Sequence, residues 1–101
     1  MIVYCTVPSE EVAEAISKAL VLEKLCACVT QIPKVKSYYV YEGEFCEDDE
    51  ILLMIKTATS HYDRLEQRLL QLHPYDTPEI IATPIIEGSK EYLSWLSHSL
   101  S

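Results

Sequence analysis

Glycine is scarce in this sequence, with only Gly43 and Gly88 among 101 residues. A phosphate-binding loop or a dinucleotide fingerprint needs several glycines at fixed spacing, because the backbone there turns tightly and approaches the phosphates closely. Two isolated glycines cannot form either motif. The sequence therefore excludes the classes of nucleotide-binding protein that depend on such loops.

Positive charge is also scarce. Lys and Arg number 8 against 16 Asp and Glu, which gives a formal net charge of −8. A chain of this sign is repelled by nucleic-acid phosphates and by anionic lipid headgroups. We therefore expect neither nucleic acid nor a membrane as a partner, whereas cations are compatible with this charge.

Long apolar runs are absent. No stretch reaches the 18 residues typical of a transmembrane helix, and the N-terminal residues show no basic segment followed by an apolar one. Without a visible secretory signal, we expect the four cysteines to be free thiols. Cys26 and Cys28 form no Cys-x-x-Cys motif, and in a strand they are expected on one face as small buried residues.

What is present is the composition of a globular chain, with 49% hydrophobic and 24% charged residues, and we expect one domain spanning residues 1–101. Hydrophobic periodicity and turn residues predict seven elements. They are a strand at 2–7, a helix at about 9–24, a strand region at 26–42 interrupted at Pro33, a strand at 44 to about 57, a helix from 59 or 60, a strand at 80–86 and a last helix before a polar tail at 97–101.

This order predicts an α+β fold of the ferredoxin-like βαββαβ type, with a long hairpin between its second and third strands and an extra C-terminal helix. Glu42-Gly43 is the predicted hairpin turn, since Gly43 is free to take positive φ. Ile51, Leu53 and Ile55 are expected on one sheet face, yet the alternate positions of the hairpin are apolar too. A sheet with one wet face alternates apolar and polar residues, so we expect this chain to associate with itself.

The segment 73–80, His-Pro-Tyr-Asp-Thr-Pro-Glu-Ile, stands between a helix pattern and a strand pattern. Pro74 and Pro78 fix their own φ and bias the preceding residues away from helix, so His73 is expected to end the helix. A stiff segment with His, Tyr, Asp and Glu suits a binding corner. It is equally consistent with a rigid turn that has no function of its own.

Several motifs occur together and in a fixed order: LCACV at 25–29, IP at 32–33, SYY at 37–39, YEG at 41–43, IKT at 55–57, HPY at 73–75, TPEII at 77–81 and YLSWL at 92–96. On these motifs the chain resembles the CutA family of divalent-ion tolerance proteins over nearly its whole length. The resemblance implies a tight, cytoplasmic homotrimer similar in architecture to PII signalling proteins. It also implies a link to copper and other divalent cations, with no enzymatic activity firmly attached.

The resemblance further implies a metal site at Cys5 and His73, which match family positions associated with copper. Leu72 stands where the family pattern has a second histidine, so this chain departs from that pattern. Thiolate and imidazole both suit Cu and Zn. With two ligands we expect weak binding of copper or another divalent cation, and a chain with a sizeable core should fold without it.

Each candidate residue also has a purely structural interpretation. Cys5 suits a strand core, and His73 suits the negative end of a helix dipole. His61 and His98 are expected in solvent. Lys56 is expected to pair with a carboxylate such as Glu79, or else to reach an anionic ligand between subunits.

A group of acidic residues surrounds the predicted hairpin turn. Its members are Glu42, Glu44, Glu47, Asp48, Asp49 and Glu50. Their oxygens are possible cation ligands. A solvated hairpin tip that resists strand pairing is the expected role.

Three function classes remain open. The first is a non-catalytic trimeric binding or regulatory protein. The second is an enzyme with a cleft between subunits near Cys5, His73, Tyr75 and Glu79, and the third is a trimeric scaffold. No nucleophile motif supports the enzyme, so we favour the first class.

Overall fold

A four-stranded antiparallel sheet organises the chain, and the computed structural model describes all residues from 1 to 101. The elements are β1 (Ile2–Val7), α1 (Glu10–Leu22), β2 (Cys28–Tyr41), β3 (Glu44–Lys56), a 3-10 turn (Thr59–His61), α2 (Tyr62–Leu72), β4 (Ile80–Thr83) and α3 (Lys90–Ser99). The strand order is β2-β3-β1-β4. This arrangement confirms the predicted ferredoxin-like α+β fold with a long hairpin and an extra C-terminal helix.

The two longer helices pack on one face of the sheet through regular apolar stripes. The Ser9 side chain caps α1 by accepting a hydrogen bond of 3.2 Å from the Val12 amide. Ile16 and Leu20 of α1 and Leu65 of α2 are buried against β1 and β3. No helix in the chain combines the length and the apolar character needed to cross a membrane.

Alternation along the central strands decides which side chains reach this core. On β3, Ile51, Leu53 and Ile55 are buried, while Leu52 and Met54 between them are half-buried on the opposite face. The predicted orientation of these residues is therefore confirmed. The opposite face remains apolar without a helix of the main core over it.

The outer half of the hairpin, residues 35–50, forms an arm. β1 pairs only with residues 51–56 of β3, so the arm strands pair with each other alone. The predicted turn is confirmed, since Glu42 and Gly43 have φ of 50° and 80°, as a type I′ turn requires. The arm gives the chain an elongated shape of 45 × 26 × 22 Å.

β2 continues through Pro33, so the predicted interruption is wrong. A register shift between Ile32 and Val35 places the intervening residues in a bulge, where Lys34 has φ of 59°. β2 is an edge strand, and an edge strand tolerates the missing N–H of proline.

Three element ends differ from the predicted bounds. β4 stops at Thr83 rather than residue 86, because Pro84 has no N–H for the ladder. α1 stops at Leu22 rather than residue 24, because Lys24 adopts a left-handed φ of 58°. α3 extends to Ser99, whose hydroxyl donates to the carbonyl four residues earlier, so the expected tail is mostly helical.

Cys26 and Cys28 do not share a face, contrary to expectation. β2 begins only at Cys28, and the chain bends at Ala27. Cys26 lies in the core under the helices, whereas Cys28 pairs with Lys56 and is half-buried on the other side. Burial raises the pKa of the Cys26 thiol from 9.0 to about 12, with a smaller contribution from Cys28.

We predict that Cys26 contributes an alkaline limit to stability. In the unfolded chain its thiol ionises near 9, but in the core it stays protonated until about 12, so stability is lost as pH rises through this window. Cys26→Ala should cost about 1 kcal/mol at pH 7 through lost packing. It should also make this pH dependence less steep without removing it, because burial raises the pKa of the Cys5 thiol to about 12 as well. Chemical denaturation between pH 8 and 11 measures both effects.

Cys46→Ala, in the arm, is the control and should keep the wild-type pH dependence. If Cys26→Ala loses stability with pH as steeply as the wild type, the thiol of Cys26 is not responsible.

Candidate functional site

The corner formed by residues 73–79 joins α2 to β4, and His73 is its first residue. His73 caps α2 as predicted, with its amide donating to the Leu69 carbonyl at 2.8 Å. Its buried ring has Nε2 at 2.8 Å from the Thr6 carbonyl oxygen, while Nδ1 accepts a 3.1 Å hydrogen bond from the Tyr75 amide. An amide donor on Nδ1 and a carbonyl acceptor at Nε2 define the neutral tautomer with the proton on Nε2.

Cys5 lies in the middle of β1 and is fully buried. Its Sγ is 3.8 Å from the same Thr6 carbonyl oxygen, so Cys5 and His73 both contact this oxygen. Burial raises the pKa of the Cys5 thiol to about 12, and the charges of Glu79 and Glu50 contribute to this shift. The two groups are therefore a protonated thiol and an imidazole with both ring nitrogens in hydrogen bonds.

Few side chains that could ligate a metal lie near Cys5 and His73. Leu72 packs against the core and has no ligating atom. No group of three or more His, Cys, Asp or Glu side chains converges as a metal site. A metal ion taking Cys5 Sγ and His73 Nε2 would displace the thiol proton and would require the imidazole proton to move from Nε2 to Nδ1. The hydrogen bonds of His73 with the Thr6 carbonyl and the Tyr75 amide would then both be lost. The residues present thus suit a weak, two-ligand site.

Glu50 is the functional candidate that the sequence did not single out. It was expected in a solvated tip, but its side chain is only 6% exposed. The Tyr75 hydroxyl donates to Glu50 Oε2 at 3.0 Å and so ties the corner to β3. One feature of the sequence could have indicated its burial: Glu50 stands directly before the apolar run that starts at Ile51, at the base of the arm.

The other acidic residues of the hairpin divide into two kinds. Glu42, Glu44, Glu47 and Asp49 are exposed or nearly so, which agrees with the predicted solvated tip. Asp48 accepts a hydrogen bond from the Tyr39 hydroxyl and lies nearer the corner. The predicted exposure to solvent is therefore correct for the acidic residues near the turn and wrong for Asp48 and Glu50 at the base of the arm.

A groove of about 570 Å³ lies between the arm and the corner. Its carboxylates are Asp48, Glu50, Asp76 and Glu79. Its tyrosines are Tyr38, Tyr39, Tyr41 and Tyr75, and Thr6, Ser37 and Thr77 complete the lining without a Lys or Arg. The groove is therefore both acidic and aromatic.

Two of the tyrosines in this groove, Tyr39 and Tyr75, have raised pKa values. Burial raises the pKa of Tyr75 to about 12, and the hydrogen bond and charge of Glu50 and the charge of Asp48 add to the shift. The hydrogen bond to Asp48 is the main cause of the raised pKa of Tyr39. The lysine of the arm, Lys36, lies near Glu47 and Asp49 instead of the carboxylates in the groove.

The remaining candidate residues lie apart from the groove. Lys56 donates to Thr30 Oγ1 and is 4.0 Å from Cys28 Sγ. Its predicted ion pair with Glu79 is wrong. Lys56 lies beside Ile2 at one end of β1, whereas Glu79 precedes Ile80, which lies beside Cys5 farther along the strand. The ring of His98 lies on the solvent-facing side of α3, as expected, with Nδ1 at 2.8 Å from the Ser94 carbonyl oxygen.

His61 departs from expectation because it is half-buried. Its Nδ1 is 3.1 Å from Ser60 Oγ at the start of α2.

Comparison with known proteins identifies relatives along almost the entire chain. Residues 1–99 match the family model described as CutA1 divalent ion tolerance protein. The divalent-cation tolerance protein CutA of Thermus thermophilus is 54% identical over 95 residues, which cover 94% of this chain and 92% of the relative.

Solved structures agree with this match. The divalent cation tolerance protein Cut A1 from Thermus thermophilus superimposes with a TM-score of 0.95 at 51% identity, covering 99% of this chain and 97% of that one. A CutA from Archaeoglobus fulgidus, described as periplasmic, has a TM-score of 0.96 at 36% identity with the same coverage. By sequence and by fold, this chain belongs to the CutA1 divalent ion tolerance protein family.

Proposed function

We propose that the chain forms a homotrimer that binds copper or another divalent cation weakly, without catalysing a reaction. The observation that carries the proposal is the meeting of Cys5 Sγ and His73 Nε2 at the Thr6 carbonyl, in a region of negative potential. The names of the relatives support a role in divalent-cation tolerance.

The chemistry of the pair supports weak and exchangeable binding. A thiolate and an imidazole are good ligands for Cu and Zn. Binding must nevertheless remove a proton from a thiol whose pKa is about 12 and shift the imidazole proton from Nε2 to Nδ1. This shift breaks the hydrogen bonds of His73 with Thr6 and Tyr75, which lowers the affinity. A core of 13 buried residues holds the fold together, so the cation is not needed for folding.

The same geometry supports a non-catalytic role over a cleft enzyme. A cysteine nucleophile needs a base with a free lone pair within reach. The Nδ1 of His73 already accepts the Tyr75 amide, and its Nε2 proton points to the Thr6 carbonyl. Cys5 therefore has no base to activate it.

The arm supports self-association. Tyr38, Val40 and Phe45 lie on one face of the arm and are 61%, 69% and 68% exposed in the protomer. An isolated two-stranded ribbon is marginally stable in water, so this apolar face needs a partner surface. The number of subunits and the PII-like arrangement come from the family resemblance.

The cytoplasm is the compartment we propose. All four cysteines are unpaired, and a reducing compartment keeps thiols in that state. Cell fractionation with a redox-state assay of the thiols tests this assignment.

The arm generates a test of assembly. The wild type should elute with a mass of about three times 11.5 kDa. Val40→Asp should dissociate it at micromolar concentration, because each subunit would bury an unpaired charge in the interface. Light scattering coupled to size exclusion measures the mass.

Leu22→Asp at the end of α1 is the matched control, since Leu22 is also an exposed apolar residue, and it should remain trimeric. A monomeric wild type, or a trimeric Val40→Asp, contradicts the assignment of the arm to the interface.

The pair of ligands generates a test of metal binding. Cys5→Ser and His73→Ala should each weaken Zn²⁺ and Cu²⁺ binding by about tenfold or more, while His98→Ala should not. Affinity should rise by about tenfold per pH unit between about pH 6 and 8, because one thiol proton leaves as the metal binds. Calorimetric titration in buffers of different ionisation enthalpy measures both quantities.

Circular dichroism on the metal-free protein should show a folded chain. Equal affinity in all four proteins would exclude Cys5 and His73 as ligands. Unfolding on metal removal would show that the site is structural.

A further inference from the structure

Glu50 is a largely buried carboxyl group without an ion-pair partner. It is 6% exposed, and no Lys, Arg or His nitrogen lies within 4.0 Å of its carboxylate. Oε2 accepts the neutral hydroxyl of Tyr75, while Oε1 accepts no hydrogen bond from the protein. Every fully buried side-chain oxygen in the chain has a partner, so Oε1 retains access to solvent at the groove that Glu50 lines. A buried carboxylate is costly unless a cation compensates it.

The charges of the groove are spread out instead of converging on a point. Asp48 and Glu50 are two positions apart on β3 and so lie about 7 Å apart along the strand. Asp76 and Glu79 lie across the groove on the corner. A metal ion requires its oxygen ligands within about 2.0–2.6 Å. No such convergence exists, so the groove suits a ligand that carries several cationic groups at intervals.

The walls of the groove suit the apolar part of such a ligand. The hydroxyls of Tyr39 and Tyr75 are held by Asp48 and Glu50, which fixes the tyrosine rings beside the carboxylates. Tyrosine rings pack against methylene groups and attract ammonium groups over their faces. A volume of about 570 Å³ is within the range of small-molecule sites.

We propose that the groove binds an aliphatic polyamine, with one ammonium group at Glu50 and the methylene chain along the tyrosine rings. This goes beyond the proposed function, because the ligand is organic and its contacts differ from Cys5 and His73. Dispersed carboxylates meet the separated ammonium groups of the chain. All residues that line the groove belong to one protomer, and neither Cys5 nor His73 is among them.

Calorimetric titration of the full chain with spermidine tests the proposal. Affinity should increase from butylamine to putrescine to spermidine, and spermidine should bind more tightly than Mg²⁺ at equal ionic strength. Glu50→Gln, which keeps the shape and the acceptor for Tyr75, should weaken spermidine binding by about tenfold to a hundredfold through loss of a charge-assisted hydrogen bond. Glu91→Gln, on α3 outside the groove, should bind as the wild type does.

Asp76→Asn provides a second variant should Glu50→Gln fail to fold by circular dichroism. Asp76 is exposed and lines the groove, and its loss should weaken spermidine binding by about threefold to tenfold. Cys5→Ser, which removes a proposed metal ligand that does not line the groove, should retain spermidine binding, so failure of the metal site is distinguishable from failure of this proposal.

Three outcomes would overturn the proposal. The first is spermidine binding no tighter than Mg²⁺, which is unspecific attraction to an acidic surface. The second is equal binding by wild type and both groove variants. The third is tighter binding of a blocked trilysine peptide than of spermidine with the same dependence on the groove carboxylates, which would assign the groove to a basic protein segment.

Discussion

The structure depends on a mismatch of strand length. β3 has 13 residues and its central partner β1 has 6, so only residues 51–56 of β3 lie inside the sheet under the helices. The rest of β3 must leave the core with β2 as its sole partner. This difference in length accounts for the arm, its exposed apolar face and the groove beside the corner, because each lies where the hairpin extends beyond the end of β1.

Glu50 occupies the position at which β3 leaves β1. One residue later, Ile51 is in the core, and a few residues earlier the carboxylates are in solvent. The corner covers this boundary, since Tyr75 reaches across to Glu50. A carboxylate at a boundary of this kind is shielded from water on the protein side and open on the groove side, which strengthens its interaction with any cation that enters.

Local patterns in the sequence predicted the fold well because they report local physics. Alternation placed Ile51, Leu53 and Ile55 in the core, and Glu42-Gly43 could only be a tight turn. The burial of Glu50 was not predictable in this way, since it depends on the corner, which is 25 residues away in the chain. The family resemblance directed attention to Cys5 and His73, but the contacts that both make with the Thr6 carbonyl are visible only in three dimensions.

Tyr75 connects the two candidate sites. Its amide donates to His73 Nδ1, and its hydroxyl donates to Glu50 Oε2. The proposed cation at Glu50 Oε1 would bind the same carboxylate as the Tyr75 hydroxyl, and the proposed metal at His73 would bind the same imidazole as the Tyr75 amide. Both events act on one residue held between two prolines in a stiff segment. If both proposed ligands bind, they share this one residue of the corner, and any effect of one on the affinity for the other must by linkage be reciprocal.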